Sequence, residues 1–210
     1  MDAEVQTTRK GRKYDDVLKG AWQVFLAHGF EGANVDDIAR AAGVSKATLY
    51  SYFPDKRVLF LEVMNVECDK HAEAAASQIG PQVALKDAVM IAATSLVEFF
   101  TSDFYLRVFR IVVAESERFP DLGQQFYENG PLMVRHRIVS YLDHAEAQGL
   151  VRIKDKNLAA DLFTETCRAD LFIGMLFGII SNPTQAEKDR VIAGAVAMFM
   201  ARYAASATPD

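Results

Sequence analysis

The stretch from Asn34 to Lys56, NVDDIARAAGVSKATLYSYFPDK, decides how the first part of this chain folds. Val35, Ile38 and Ala42 recur at helical spacing and mark one apolar face. Ala39 is small where a second helix must cross closely. Gly43 suits the positive φ of a tight helix end, and Val44 fills the angle that follows. Ser45 is placed to cap a second helix, in which Leu49 and Phe53 point inward. Lys46, Ala47, Thr48, Tyr50, Ser51 and Tyr52 are left on its outer and flanking surface. Two short helices meeting at a glycine turn, the second of them short and polar, make a helix-turn-helix whose second helix can enter a DNA groove.

Outward from this motif the pattern stays helical. A first helix is predicted from about Tyr14 to His28, with Val17, Leu18, Ala21, Trp22, Phe25 and Leu26 inward, broken by Gly29 and Gly32. Trp22 reads as core and His28 as a helix-end residue. Pro54 fits the first turn of a fourth helix, with Asp55 favourably placed at its positive end, running to about Ile79 before Gly80-Pro81. A fifth helix covers Leu85–Phe100 and a sixth Phe104–Arg118. A seventh lies between Asp121 and Gly149 and is bent at Gly130-Pro131. After LVRIKDKN, an eighth covers Leu158–Ile180, and a ninth opens at Thr184 with Glu187 completing a capping box. The fold class is all-α with about nine helices. The expected division is 1–53 for the DNA-binding domain and 54–210 for a larger helical domain.

The segment AWQVFLAHGFEGANVDDIARAAGVSKATLYSYFPDKRVLF resembles the N-terminal domain of the tetracycline-repressor (TetR) family, from Lys19 to Phe60. Two positions depart from the family pattern. Asn34 stands where Ser or Thr is usual, and Ala47 where Gly is frequent. Asn still caps a helix, and the Ala47 methyl can contact thymine where glycine would not. The resemblance implies that Lys46, Thr48, Tyr50, Tyr52 and Lys56 contact phosphates, with Asn34 capping the preceding helix at the backbone. Ala47 and Ser51 are candidates for base edges. The run ESERFPDLGQQFYENGP is similar to the C-terminal domain of the AefR-like subgroup, which specifies no ligand.

Charge distribution agrees with DNA contact by one end of the chain. The net charge is −5, yet residues 1–57 hold nine Lys/Arg against eight Asp/Glu, while the remainder holds fourteen against twenty. Arg9, Lys10, Arg12 and Lys13 form a basic arm that reads either as a solvated tail or as a DNA-contacting segment. The apolar stretch Leu171–Ile180 is too short to span a bilayer, so no membrane partner is expected. The polar beginning of the chain has no apolar core of a signal peptide, and two unspaced cysteines do not suggest a disulfide framework. A cytoplasmic protein is the expectation.

The middle of the chain is rich in large side chains. Phe100, Phe104, Tyr105, Phe109, Phe126 and Met133 are the candidate lining of an effector pocket, with ordinary core as the alternative for each. The family resemblance places such a pocket among helices four to eight. The eighth helix is apolar nearly all round and must be covered on more than one side. Leu176 and Phe177 on it, with Val196 and Phe199 on the ninth, are the candidate interface of a homodimer. Cys68 and His71 share a helix face, but no third ligand is fixed, so no metal site or cofactor is expected. There is no nucleophile elbow or phosphate-binding glycine loop, and no enzyme is expected.

These readings converge on a homodimeric regulator that binds a palindromic double-stranded operator. It would most simply be a repressor released by a small apolar or aromatic effector. The alternative is a helical small-molecule-binding or interaction protein without useful DNA affinity.

Overall fold

The computed structural model describes residues 11–80 and 82–205; Arg9 and Lys10 of the basic arm, and Pro81, lie outside them. Eleven α-helices and one π-helical segment are present among the described residues, with a single isolated bridge between Val151 and Ala204. No single described helix is long and apolar enough to cross a membrane.

The chain forms two compact units whose boundary differs from the predicted one at residue 53. The first holds residues up to Glu67 together with Ile111–Gly123. The second holds Cys68–Arg110 and the chain from Gln124 onward. Three helices therefore contribute to both units along their length.

In the first unit, α1 (Arg12–Gly32) buries Val17, Leu18, Ala21 and Phe25 and turns sharply at Gly29, whose φ is +70°. Trp22 is only partly covered, so the core of this unit rests on its neighbours. Helix α2 (Val35–Ala41) crosses α1 at Gly20. A Cβ there would stand 2.6 Å from the Ala42 backbone nitrogen, so only glycine admits this approach. Gly43, at φ +64°, reverses the chain into α3 (Lys46–Tyr52). Helix α4 (Lys56–Ala76) begins two residues after Pro54. Asp55 caps it, its carboxylate accepting from the backbone N–H of Arg57 and Val58 at 2.8 and 3.0 Å. Phe25, Phe30 and Phe60 pack edge-on or stacked at the centre of this unit.

The second unit is built from the end of α4, α5 (Leu85–Phe100), most of α6 (Asp103–Glu115), the last residues of α7 (Pro120–Tyr127), and the helices that follow. The expected bend in the seventh helix is a π-helical segment, Glu128–Leu132, leading into α8 (Met133–Ala147). Pro131 lies inside it. Proline cannot donate the usual bond, and the wider register absorbs the loss.

The eighth helix is not continuous as expected. It divides into α9 (Lys156–Thr166) and α10 (Leu171–Leu176), separated by Asp170 at φ +67°. The Asp170 carboxylate pairs with Arg190. Helix α11 (Gln185–Tyr203) carries the predicted Thr184–Glu187 capping box and packs on α5 and α9.

Candidate nucleic-acid interface and internal cavity

The outer surface of the helix-turn-helix follows from its caps. Asn34 Oδ1 accepts from the backbone N–H of Asp37 at 2.8 Å and fixes the start of α2. Ser45 Oγ accepts from the backbone N–H of Thr48 at 3.1 Å and fixes α3. Leu49 and Phe53 are buried beneath α3. Their spacing leaves Lys46, Ala47, Tyr50 and Ser51 exposed, with Thr48 and Tyr52 half-buried at the flanks. Tyr52 packs edge-on against Tyr14 at 5.7 Å, and Ser51 donates its hydroxyl to the Thr48 carbonyl. Seven of the eight residues predicted for DNA contact thus lie on, or cap, one short helix pair.

Lys56 is the exception. Its ammonium donates to the carbonyls of Phe30 and Ala33 at 2.6 and 3.0 Å, approaches that of Glu31 at 3.4 Å, and lies over the Phe30 ring. An ammonium has three donors. In Lys56 they are directed at the end of α1, which they hold against the start of α4, and not outward to a phosphate.

The second unit contains a cavity of about 720 Å³. Helix α4 contributes Cys68, His71, Ala72, Ala75 and Ala76, a stripe at three- and four-residue spacing, and Ile79 follows its end. Helix α5 contributes Ala88, Val89, Ala92, Ser95, Leu96 and Phe99, and α8 a polar wall that includes His136, Arg137, Ser140, Tyr141 and His144. Phe163 of α9 and Phe199 of α11 close the inner end. Burial raises the Tyr141 phenol above its usual pKa.

Of the six side chains predicted to line a pocket, Met133 does so. Phe100, Phe104, Tyr105, Phe109 and Phe126 do not. They form an aromatic cluster, with Tyr105 at 5.1 Å from Phe100, 5.8 Å from Phe109 and 6.5 Å from Phe126, and Phe104 in contact through Phe99. Arg168 lies over the Phe100 ring at 4.4 Å and donates to the Tyr105 hydroxyl. Large rings fill space, and their mutual packing makes a core. The opening lies where alanines face one another. The readable signal was the small-residue spacing of AEAAA and its counterpart on α5.

The four predicted dimer-contact residues also separate. Val196 and Phe199 are buried within the second unit, and Phe199 packs on Phe163 at 5.3 Å. Leu176 is half-buried, its carbonyl accepting from Arg110. Phe177 is 72% exposed, and Ile173, Ile179 and Met198 are exposed with it. On α11 the outward face carries Gly194, Ala197 and Ala201, small enough for another helix to approach closely, beside the exposed Met198. Leu158 and Leu162 make a further exposed apolar strip on α9.

Cys167 does not have the surroundings of an activated thiol. Burial pushes the Cys167 thiol up to about 12, opposite to the shift a reactive thiolate needs. No cluster of metal-ligating side chains occurs among the described residues.

Comparison with known proteins places both parts of the chain. Residues 17–63 match the model of bacterial regulatory proteins of the tetR family. Residues 88–205 match that of the AefR-like transcriptional repressor C-terminal domain. A repressor from Corynebacterium diphtheriae, the HTH-type transcriptional repressor AcnR, is 32% identical over 72 residues, which are 34% of this chain and 38% of that protein. The chain thus matches well under half of that relative's length. Among solved structures, a TetR-family transcriptional regulator from Mesorhizobium loti is 25% identical with a TM-score of 0.84, over 94% of this chain and 99% of that one. The flavonoid-responsive regulator FrrA is 34% identical with a TM-score of 0.73, over 94% of this chain and 100% of that one.

Proposed function

We propose a function that starts from the family: this chain belongs to the tetR family of bacterial regulatory proteins, with an AefR-like C-terminal domain. In our reading it is a cytoplasmic repressor, acts as a homodimer and releases its operator when a small molecule occupies the cavity. Regulators of this family bind operator DNA and act as dimers. What we assign to this chain is the set of surfaces that would do so.

The observation that carries the reading is the outer face of α3. Its inner face is anchored by Leu49 and Phe53, its start is fixed by Ser45, and its outer residues Lys46, Ala47, Tyr50 and Ser51 are exposed. Placed in a major groove, Lys46, Thr48 and the tyrosines reach phosphates, while Ala47 and Ser51 approach base edges. Two such helices in a dimer bind half-sites about 34–36 Å apart. We assign the dimer contact to Ile173, Phe177 and Ile179 around α10 and to the Gly194–Ala201 face of α11. Exposed apolar strips of this kind are costly to leave in water.

The cavity is the effector site in this reading. Its apolar inner end, with Phe99, Phe163 and Phe199, suits a ring-bearing or acyl ligand, and the similarity to a regulator named flavonoid-responsive supports an aromatic one. Helix α4 carries the signal, because it begins in the unit that holds α3 and its later turns line the cavity. A ligand favouring one disposition of α4 shifts the population away from the DNA-competent state. The test is a mobility-shift assay with DNA taken from beside the chain's own gene. Specific, salt-sensitive retardation is expected for the parent and not for a Lys46→Ala, Tyr50→Ala double variant. Retardation equal for both would overturn the assignment of α3.

A further inference from the structure

The cavity is polarised from end to end. Its inner wall is apolar and buried, with Ala88, Val89, Leu142, Phe163 and Phe199 each under one-tenth exposed. Its outer rim holds His71, His136, Ser140 and His144, all exposed, with Arg137 half-buried beside them. Three of the four histidines in the chain stand at this rim. Among the described residues no aspartate or glutamate lines the cavity, although the chain carries 28 of them and a net charge of −5. The only permanently charged lining group among the described residues is the Arg137 guanidinium.

The donors at the rim are largely unused. Arg137 Nη2 is 3.1 Å from Asp69 Oδ1, an exposed carboxylate that does not line the cavity, and that is one of five guanidinium N–H groups. Among the described residues, His71, His136, Ser95 and Tyr141 show no side-chain hydrogen bond; His71 only packs against the Phe99 ring at 5.1 Å. An imidazole offers an N–H whether neutral or protonated. Donors and positive charge therefore converge where the cavity meets water, above an apolar interior.

We infer that the ligand of this cavity is an amphipathic organic acid. Its apolar body lies inward against Phe163 and Phe199, and its ionised acid group lies at the rim on Arg137 and the histidine N–H groups. This rests on the reading of the cavity as an effector site. A neutral apolar molecule would leave the rim donors unanswered, and a cation would find no carboxylate among the described lining residues to pair with.

The experiment uses two fluorescent probes with one apolar body, 8-anilinonaphthalene-1-sulfonate and the uncharged N-phenyl-1-naphthylamine, titrated into the full chain. The anion should bind at least about tenfold more tightly. Arg137→Gln should abolish the preference by weakening only the anion, and Arg137→Lys should restore part of it. Asp69→Asn, which removes the competing carboxylate, should strengthen the anion and leave the neutral probe unchanged. Ala75→Phe, with circular dichroism to confirm folding, should weaken both probes and so place them in the cavity. Equal binding of the two probes, or a preference that survives Arg137→Gln, overturns the acid assignment while leaving an effector cavity in place. Binding of neither probe overturns both. Displacement of the anion by dodecanoate or by trans-cinnamate identifies an acyl or an aryl body. Displacement by the methyl esters as strongly as by the acids counts against the inference.

Discussion

Lys46, the first residue of α3, holds its ammonium 2.6 Å from the Asp36 carboxylate on α2. Both side chains are more than half exposed, so the pair is screened and contributes little to stability. Its consequence is for DNA. The basic group best placed for a phosphate is matched by an acid that a phosphate must displace and that repels the backbone. Asp36→Asn should therefore raise operator affinity several-fold, more at low salt than at high salt. Lys46→Ala should weaken binding to all sequences alike and lower the salt slope by about one per subunit. Filter-binding titrations from 50 to 200 mM salt (about the usual working range) check both. An Asp36→Asn variant no tighter than the parent would show that Lys46 keeps its protein partner on DNA.

Lys56→Met separates a structural lysine from a DNA-contacting one. Methionine keeps the stem over the Phe30 ring and loses the bonds to the Phe30 and Ala33 carbonyls. The expected cost is about 1–3 kcal/mol, read by urea unfolding. The salt slope of DNA binding should stay at the parent value, because no phosphate contact is lost. A slope reduced without loss of stability would return Lys56 to the DNA surface.

The contrast between these lysines shows what sequence could carry. Asn34, Ser45 and Thr184 were legible as caps because a cap bonds within three residues of itself. The α3 face was legible because Leu49 and Phe53 fix it at one-turn spacing. Lys56 was not, since its partners lie 23 to 26 residues away. The break at Asp170 was not, because a non-glycine residue at positive φ leaves no compositional mark. The cavity was misread for a different reason. Aromatic residues announce themselves in a sequence, but they fill volume. A cavity is volume left empty, and here alanines on α4 and α5 leave it.

The same reasoning divides the predicted dimer contacts. Phe177 is exposed and Phe199 is buried in its own subunit. Phe177→Asp should leave the monomer folded and shift a dimer to monomer in sedimentation velocity, because the new carboxylate would be desolvated only in the interface. Phe199→Ala should instead destabilise each subunit by about 3–5 kcal/mol, with subunit exchange unaffected at temperatures where the chain stays folded. A Phe177→Asp protein that remains dimeric on dilution would move the interface off α10.

Ala75 offers the sharpest test of coupling. It sits midway along the α4 stripe, where a larger side chain occupies space the ligand needs without displacing a packed neighbour. Ala75→Phe should retain operator affinity within about threefold, since α3 and its caps are untouched, and should cost less than the 1–3 kcal/mol typical of overpacking a filled core. Its response should be lost. An acid that displaces the anionic probe and releases the parent from operator DNA should fail to release this variant. Linkage adds a reciprocal requirement: operator DNA must weaken binding of that acid to the parent by the same factor by which the acid weakens operator binding. Calorimetry with and without operator measures that factor directly. A parent that binds the acid equally in both titrations, or a filled variant that is still released, would mean that the signal does not originate in this cavity.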